Sequence, residues 1–226
     1  MKITYFGHSC FGIESNQHRL LFDPFIQYNE LAKEINIDEI KCDYMLISHG
    51  HEDHVADARP IAERTGALMI SNYEVISWFA KNGYENGHPL NHGGKKSFDF
   101  GSVKYVNAVH SSMMPDGAYG GNPGGFVVEL DNQSLYYAGD TALFSDMKLI
   151  GELEQPDFAF LPIGDNFTMG IRDAVIAADY VNCDKVIGMH YDTFPPIEID
   201  HEKAIEAFKE AGKELILMNI GTTVEL

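Results

Sequence analysis

Apolar and polar residues alternate with a two-residue period at the start of the chain. There KITYFG, CFGIES and RLLFDP each read as a strand, with a turn at 16–17 between the second and third. The pattern then changes. DYMLIS is an unbroken apolar run as long as a buried strand, and residues 53–64 follow at helical spacing, stopping near Gly66. Strands at ALMI, SFDFG, VKYVNAVH, GFVVELDN, SLYYAGD, DFAFLPI, KVIGMH, ELILMN and TTVEL come next. They are interleaved with helices at YEVISWFAKNG, from Phe144, over residues 171–182, and at HEKAIEAFKEAG. Hairpin-like strands followed by strands alternating with crossover helices predict an α/β layered fold, with mixed sheets covered by helices. Two strand-rich parts, each ending in helices, suit two similar halves of one domain over residues 1–226.

Composition adds exclusions. At 226 residues and 45% hydrophobic the chain suits a globular, soluble fold, and its apolar runs are far shorter than the roughly 18 residues a membrane span needs. The opening MKITYFGHSCFGIE has no apolar core or cleavage site of a secretory signal, so a cytoplasmic location is expected. Cys10, Cys42 and Cys183 are odd in number and widely spaced, which predicts reduced, interior thiols. A net charge of −18 repels phosphate backbones and anionic membranes. The expected partner is therefore a small molecule, with no membrane span; a nucleic acid is disfavoured by the charge, though a bound metal pair would reverse the potential locally, and a homo-oligomer is compatible with the sequence. Trp78, at helical spacing, reads as core, and Met113, Met114, Met169 and Met189 read as packing.

The chemistry concentrates in LISHGHEDHVAD. His49 and His51 are two apart, so on an extended segment they point to one side and can grip one ion. Asp53 and His54 come next, where the helix begins, and can turn towards a second ion. Such a position after the carboxyl end of a strand is where α/β folds put their sites. A merely solvated turn would leave unexplained why His110, Asp140 and His190 also close strands, at VKYVNAVH, SLYYAGD and KVIGMH. The glycine-rich residues 111–125 come directly after His110, and a loop of that length without structure of its own reads as substrate-facing.

With those stretches quoted, a family likeness emerges. YFGHSCF, LISHGHEDH, NPGGFVVEL, YYAGDTALFSDM, FLPIGDNFTMG and GMHYDTFP resemble, in order, the metallo-β-lactamase superfamily. Within it they resemble the branch of metal-dependent hydrolases that includes L-ascorbate-6-phosphate lactonase. The resemblance implies a four-layer αβ/βα sandwich, with two mixed sheets and outer helices, carrying two divalent metal ions at one edge. It implies that His49, His51 and His110 hold one ion, that Asp53, His54 and His190 hold the other, and that Asp140 bridges them. It further implies hydrolysis by a metal-bound hydroxide, with Asp53 as both ligand and catalytic base.

Two divalent ions against two carboxylates leave a positive island in an acidic protein, which favours a small anionic ester or lactone as substrate. The alternative is a phosphodiesterase acting on cyclic nucleotides, nucleic-acid ends or phospholipid head groups. Its pocket would add Arg or Lys donors, and the basic residues near the motifs are Arg59, Lys104, Lys148 and Arg172. A metal-binding protein without turnover is a further alternative. Imidazole and carboxylate donors without thiolate suit Zn, Mn, Fe or Co, with zinc the default and manganese the alternative. Substrate contacts are expected at His8, Tyr191, Asp165 and Asn166, the last two standing where the family more usually has Gly and then His or an aromatic. Asp23, before Pro24, reads first as a turn-starting residue and second as an acceptor for a ligand histidine.

Overall fold

The computed structural model describes residues 1–15 and 17–226; Asn16, half of the turn expected at 16–17, lies outside the described residues. The first half runs β1 (Lys2–Gly7), β2 (Cys10–Ser15), β3 (His18–Phe22), β4 (Tyr44–Leu46), α1 (Glu52–Val55), α2 (Ala58–Thr65), β5 (Leu68–Asn72), α3 (Tyr73–Lys81) and β6 (Gly87–Leu90). The second runs β7 (Lys95–Phe98), β8 (Gly101–Asn107), β9 (Gly124–Leu130), β10 (Gln133–Tyr137), α4 (Met147–Leu153), β11 (Phe158–Pro162), α5 (Ile171–Tyr180), β12 (Lys185–Met189), α6 (His201–Glu210) and β13 (Glu214–Ile216). The last strand, β14 (Thr223–Glu225), returns to the first sheet.

Two seven-stranded mixed sheets result, ordered β14-β1-β2-β3-β4-β5-β6 and β7-β8-β9-β10-β11-β12-β13. Their pairing repeats: the first four strands of each order are antiparallel and the remaining neighbours parallel. Residue parity sorts each strand between layers. Leu20, Phe22, Leu46 and Ile70 face the second sheet, while Leu21, Met45 and Met69 face α2 and α3. Between the sheets Phe11 packs on Phe160 and Phe22 on Tyr137, each with ring centroids 4.7 Å apart. The outer helices bury Ile61, Ala62 and Phe79 on one side, and Met147, Ala177 and Phe208 on the other. The layers are therefore αβ/βα. Among the described residues no helix is long and apolar enough to cross a membrane.

The helix expected over residues 53–64 is two helices, broken at residues 56–57. A continuous helix would press the Pro60 ring against the Ala56 carbonyl and leave that carbonyl without its donor. The break is also pinned: the Asp57 carboxylate accepts the N–H groups of Ile26 and Gln27 at 2.6 and 2.9 Å. β6 escaped the sequence reading because GHPL is short and contains proline, which a sheet tolerates at its edge, where β6 lies. Trp78 is not core. It is half-buried, and its indole N–H donates to Asp116 Oδ2 at 2.9 Å, tying down the glycine-rich loop. Met113 is likewise exposed rather than packed.

Gly164 lies two residues past β11, against His190, which directly follows β12. A Cβ there would lie 2.1 Å from the His190 carbonyl oxygen and 3.0 Å from Ile197 Cβ. Gly164→Ala is expected to destabilise the protein by about 1–3 kcal/mol, because backbone must move to admit the methyl; thermal melting measures it.

Candidate metal centre

The seven candidate ligands gather beyond one edge of the two sheets, each delivered by a strand end or by the segment just past it. β4 runs into Ser48, His49 and Gly50; His51 caps α1, so Asp53 and His54 stand in its first turn. His110 lies three residues past β8, Asp140 three past β10, and His190 directly after β12. One of the ligands, His190, and two residues beside the centre, His8 and Asp23, hold strained backbone, with φ of 56°, 55° and 39°, a region that side chains with a Cβ seldom adopt. Gly139, at φ 63°, turns the chain into Asp140 where a Cβ would meet Gly124 O at 2.7 Å.

Two clusters form. The ring nitrogens of His49, His51 and His110 lie within 4.8 Å of one another, and so do donor atoms of Asp53, His54, His190 and His8. Asp140 stands between the clusters. Its Oδ2 is 3.0 Å from His190 Nε2, 3.5 Å from His110 Nε2 and 4.0 Å from His49 Nε2, while Oδ1 faces His54 Nε2 at 3.3 Å. His54 Nε2 and Asp140 Oδ1 are both buried, yet neither makes a hydrogen bond. Buried polar atoms left so are rare unless an ion or water satisfies them. With imidazole nitrogens and carboxylate oxygens as the donors, the residues fit a divalent transition metal.

The charges are balanced by pairing. Burial alone would lower the His54 pKa, but Asp140, Asp23 and Asp53 outweigh it and hold the ring well above its ordinary value. Burial likewise opposes His190, and Asp140 and Asp53 raise it to about 9. His49 has no such majority of acids; burial and His54 hold it well below its ordinary value. Burial raises Asp140 and Asp53, but the neighbouring histidines prevail and keep both carboxyls ionised. The metal-free centre thus carries protons on His54 and His190 that a metal must displace. Metal uptake near neutral pH is expected to release protons, and affinity to weaken as pH falls below about 9. Calorimetric titration in buffers of different ionisation enthalpy checks both.

Asp23 is more than a turn. Wholly buried, it accepts from His54 Nδ1 at 2.8 Å, Ser48 Oγ at 2.6 Å, Ser48 N at 2.7 Å and Tyr137 OH at 2.8 Å. Its signal in the sequence is positional: Asp23 comes after β3 much as Asp140 comes after β10, and those strands correspond in the repeated pairing. The glycine-rich loop lies against the same centre, for Ser112 Oγ accepts from Gly50 N at 3.1 Å and Ser111 Oγ is 3.3 Å from His51 Nε2.

The expected substrate contacts fare differently. His8 is fully buried and faces Asp53. Tyr191 is buried, its ring stacked on Tyr5 and its hydroxyl donating to the Met218 carbonyl at 3.5 Å, so it is packing beneath the site. Asp165 and Asn166 form an exposed left-handed turn, with φ 61° and 49°, and Asp165 bonds to Met169 and Asn166 rather than to the cluster. The open side of the centre is made instead by Asp53, whose side chain is 27% exposed, and by the half-buried His51 and His110.

A family model described as the β-lactamase superfamily domain matches residues 2–190. A UPF0173 metal-dependent hydrolase of Christiangramia forsetii is 53% identical over 227 residues, covering 100% of both chains. The UPF0173 metal-dependent hydrolase YtkL of Bacillus subtilis is 44% identical over 232 residues, again covering 100% of both. Among solved structures, Igni18, a metallo hydrolase from the hyperthermophilic archaeon Ignicoccus hospitalis, superposes with a TM-score of 0.89 at 37% identity, covering 100% of this chain and 98% of its own.

Proposed function

Because the chain belongs to the metallo-β-lactamase superfamily and, within it, to the UPF0173 metal-dependent hydrolases, we propose that it hydrolyses a small anionic ester or lactone with two divalent ions. In this reading His49, His51 and His110 hold one ion, Asp53, His54 and His190 the other, and Asp140 both. The observation that carries it is the position of Asp140, one carboxylate facing histidines of both clusters at 3.0–4.0 Å.

When bound, such ions act as Lewis acids, lowering the pKa of water towards about 7 and polarising the oxygen of the bond to be broken. The protein supplies the rest. Asp53, at the open side, orients the attacking water and takes its proton. Asp23 holds His54 by Nδ1 and so directs Nε2 inwards. Ser48 Oγ does the like for His49, 2.9 Å from its Nδ1. The imidazole and carboxylate donors suit Zn, Mn, Fe or Co alike, with zinc the default and manganese the alternative.

An ester or lactone is favoured over a phosphodiester because three of the four cations near the motifs are engaged elsewhere. Arg59 pairs with Glu63, Lys104 with Glu154, and Lys148 lies over the Tyr180 ring. The motif likeness to L-ascorbate-6-phosphate lactonase supports the same choice. The test is a panel of lactones, carboxylic esters, thioesters and phosphodiesters, offered to zinc- and manganese-loaded protein with metal-stripped protein as control. Metal-dependent turnover of lactones or esters is expected; turnover confined to phosphodiesters would reverse the reading.

A further inference from the structure

We infer that His8 and Thr193 form a clamp that fixes the Asp53 carboxylate, and that His8 is a positioning residue rather than a metal ligand or a substrate contact. The inference rests on the two-metal reading above. His8 Nε2 lies 3.1 Å from Asp53 Oδ2, and His8 Nδ1 lies 2.9 Å from Thr193 Oγ1. An ionised carboxylate can only accept, so the proton of that bond sits on Nε2. Nε2 is then turned to Asp53 rather than to a metal, and Nδ1 is paired with the Thr193 hydroxyl, which also lies 3.3 Å from the Tyr191 carbonyl. Within the group His8, Asp53, His54 and His190, His8 is the histidine with both ring nitrogens paired, whereas His54 Nε2 and His190 Nδ1 have no hydrogen-bond partner.

The ring has no freedom to swing elsewhere. Phe25 and Phe194 meet it edge-on with centroids 5.5 and 5.6 Å away, His190 lies at 4.2 Å, and the side chain is wholly buried. Its backbone joins the same arrangement: the His8 carbonyl accepts from His190 N at 2.9 Å. The clamp therefore links the turn after β1, the turn after β12 and the first turn of α1. Asp53 is the most exposed carboxylate of the centre, attached to a helix of four residues. Held at one oxygen, it presents a defined edge to an ion and to a water; released, it rotates about its own side-chain bonds.

The probe is cobalt(II), titrated against a competing chelator and followed by its visible spectrum, so that no substrate is needed. His8→Phe keeps a ring without a donor, His8→Gln keeps an N–H near the Nε2 position, and Thr193→Val keeps volume without the hydroxyl. His8→Phe is expected to retain two cobalt ions per chain, with the weaker one bound about 10–100-fold less tightly, the usual effect of removing a partner that orients a ligand. His8→Gln is expected to recover most of that loss, and Thr193→Val to show a smaller loss with the same spectral change. Wild-type affinity in both His8→Phe and Thr193→Val, or a Gln variant no better than Phe, would overturn the clamp. Loss of one whole ion in His8→Phe would make His8 a ligand and overturn it too. If His8→Phe does not fold, Thr193→Val decides alone. Should the wild-type chain bind fewer than two cobalt ions, the two-metal reading itself fails, a result distinct from any of these.

Discussion

Asp140→Asn is expected to cut kcat/KM by on the order of 10³-fold or more and to leave less than two metal ions on the chain. The substitution conserves shape and removes only charge. Asp140 alone faces His49, His110 and His190 through one oxygen and His54 through the other. An amide offers one neutral oxygen where two charged ones stood, and its NH2 group turns a repelling edge towards one set of imidazoles or the other. Losing about 4 kcal/mol of transition-state stabilisation, within what a bound metal supplies, corresponds to that factor at one decade per 1.36 kcal/mol. Steady-state rates on the preferred ester or lactone, with metal content by atomic emission, measure both halves of the prediction. Full metal content with a near-normal rate would remove Asp140 from its central place.

The second large effect is on stability. Asp23→Ala leaves His54 Nδ1, Tyr137 OH and both the Oγ and N–H of Ser48 without their common acceptor, in a place closed to solvent. Removing one partner of a buried charged network costs about 3–5 kcal/mol, which for a chain of this size lowers the melting temperature by roughly 10 °C. Asp23→Asn should be milder in the melt, since it still fills the space and accepts in part. It should nevertheless bind metal more weakly, because His54 loses the charge that orients it. Melting curves of both variants, with and without zinc, separate the two effects. A melt for Asp23→Ala within about 2 °C of wild type would mean that the network stores little of the fold's stability.

Much of this was legible in the sequence, for reasons that particular residues make clear. Strands such as VKYVNAVH and FAFLP announce themselves because their apolar pattern is set by which sheet face they bury. The metal-binding candidates were legible because four of them crowd into one stretch and the others each follow such a strand within three residues. What was not legible depends on contacts made across the fold. His8 and Tyr191 both flank strand ends near ligands, and only the packing reveals that one turns towards Asp53 and the other towards Tyr5. Asp23 before Pro24 carries an ordinary turn signature that masks its bond to His54, 31 residues away. The break between α1 and α2 is signalled by Pro60, but helical spacing that runs across it masks the signal.

The repeated pairing of the two sheets has a bearing on how the protein obtains its metal. His49, His51, Asp53 and His54 belong to the first half, whereas His110, Asp140 and His190 belong to the second. As the polypeptide leaves the ribosome, the first four donors emerge early on a short segment with nothing opposite them. In the proposed two-metal reading one ligand set is complete only once Asp140 has been made and the other only once His190 has, and both need the two halves to meet. On that reading the ion would be selected by a finished cleft sampling the ions around it, rather than by a nascent chain seizing whichever ion imidazoles grip most tightly.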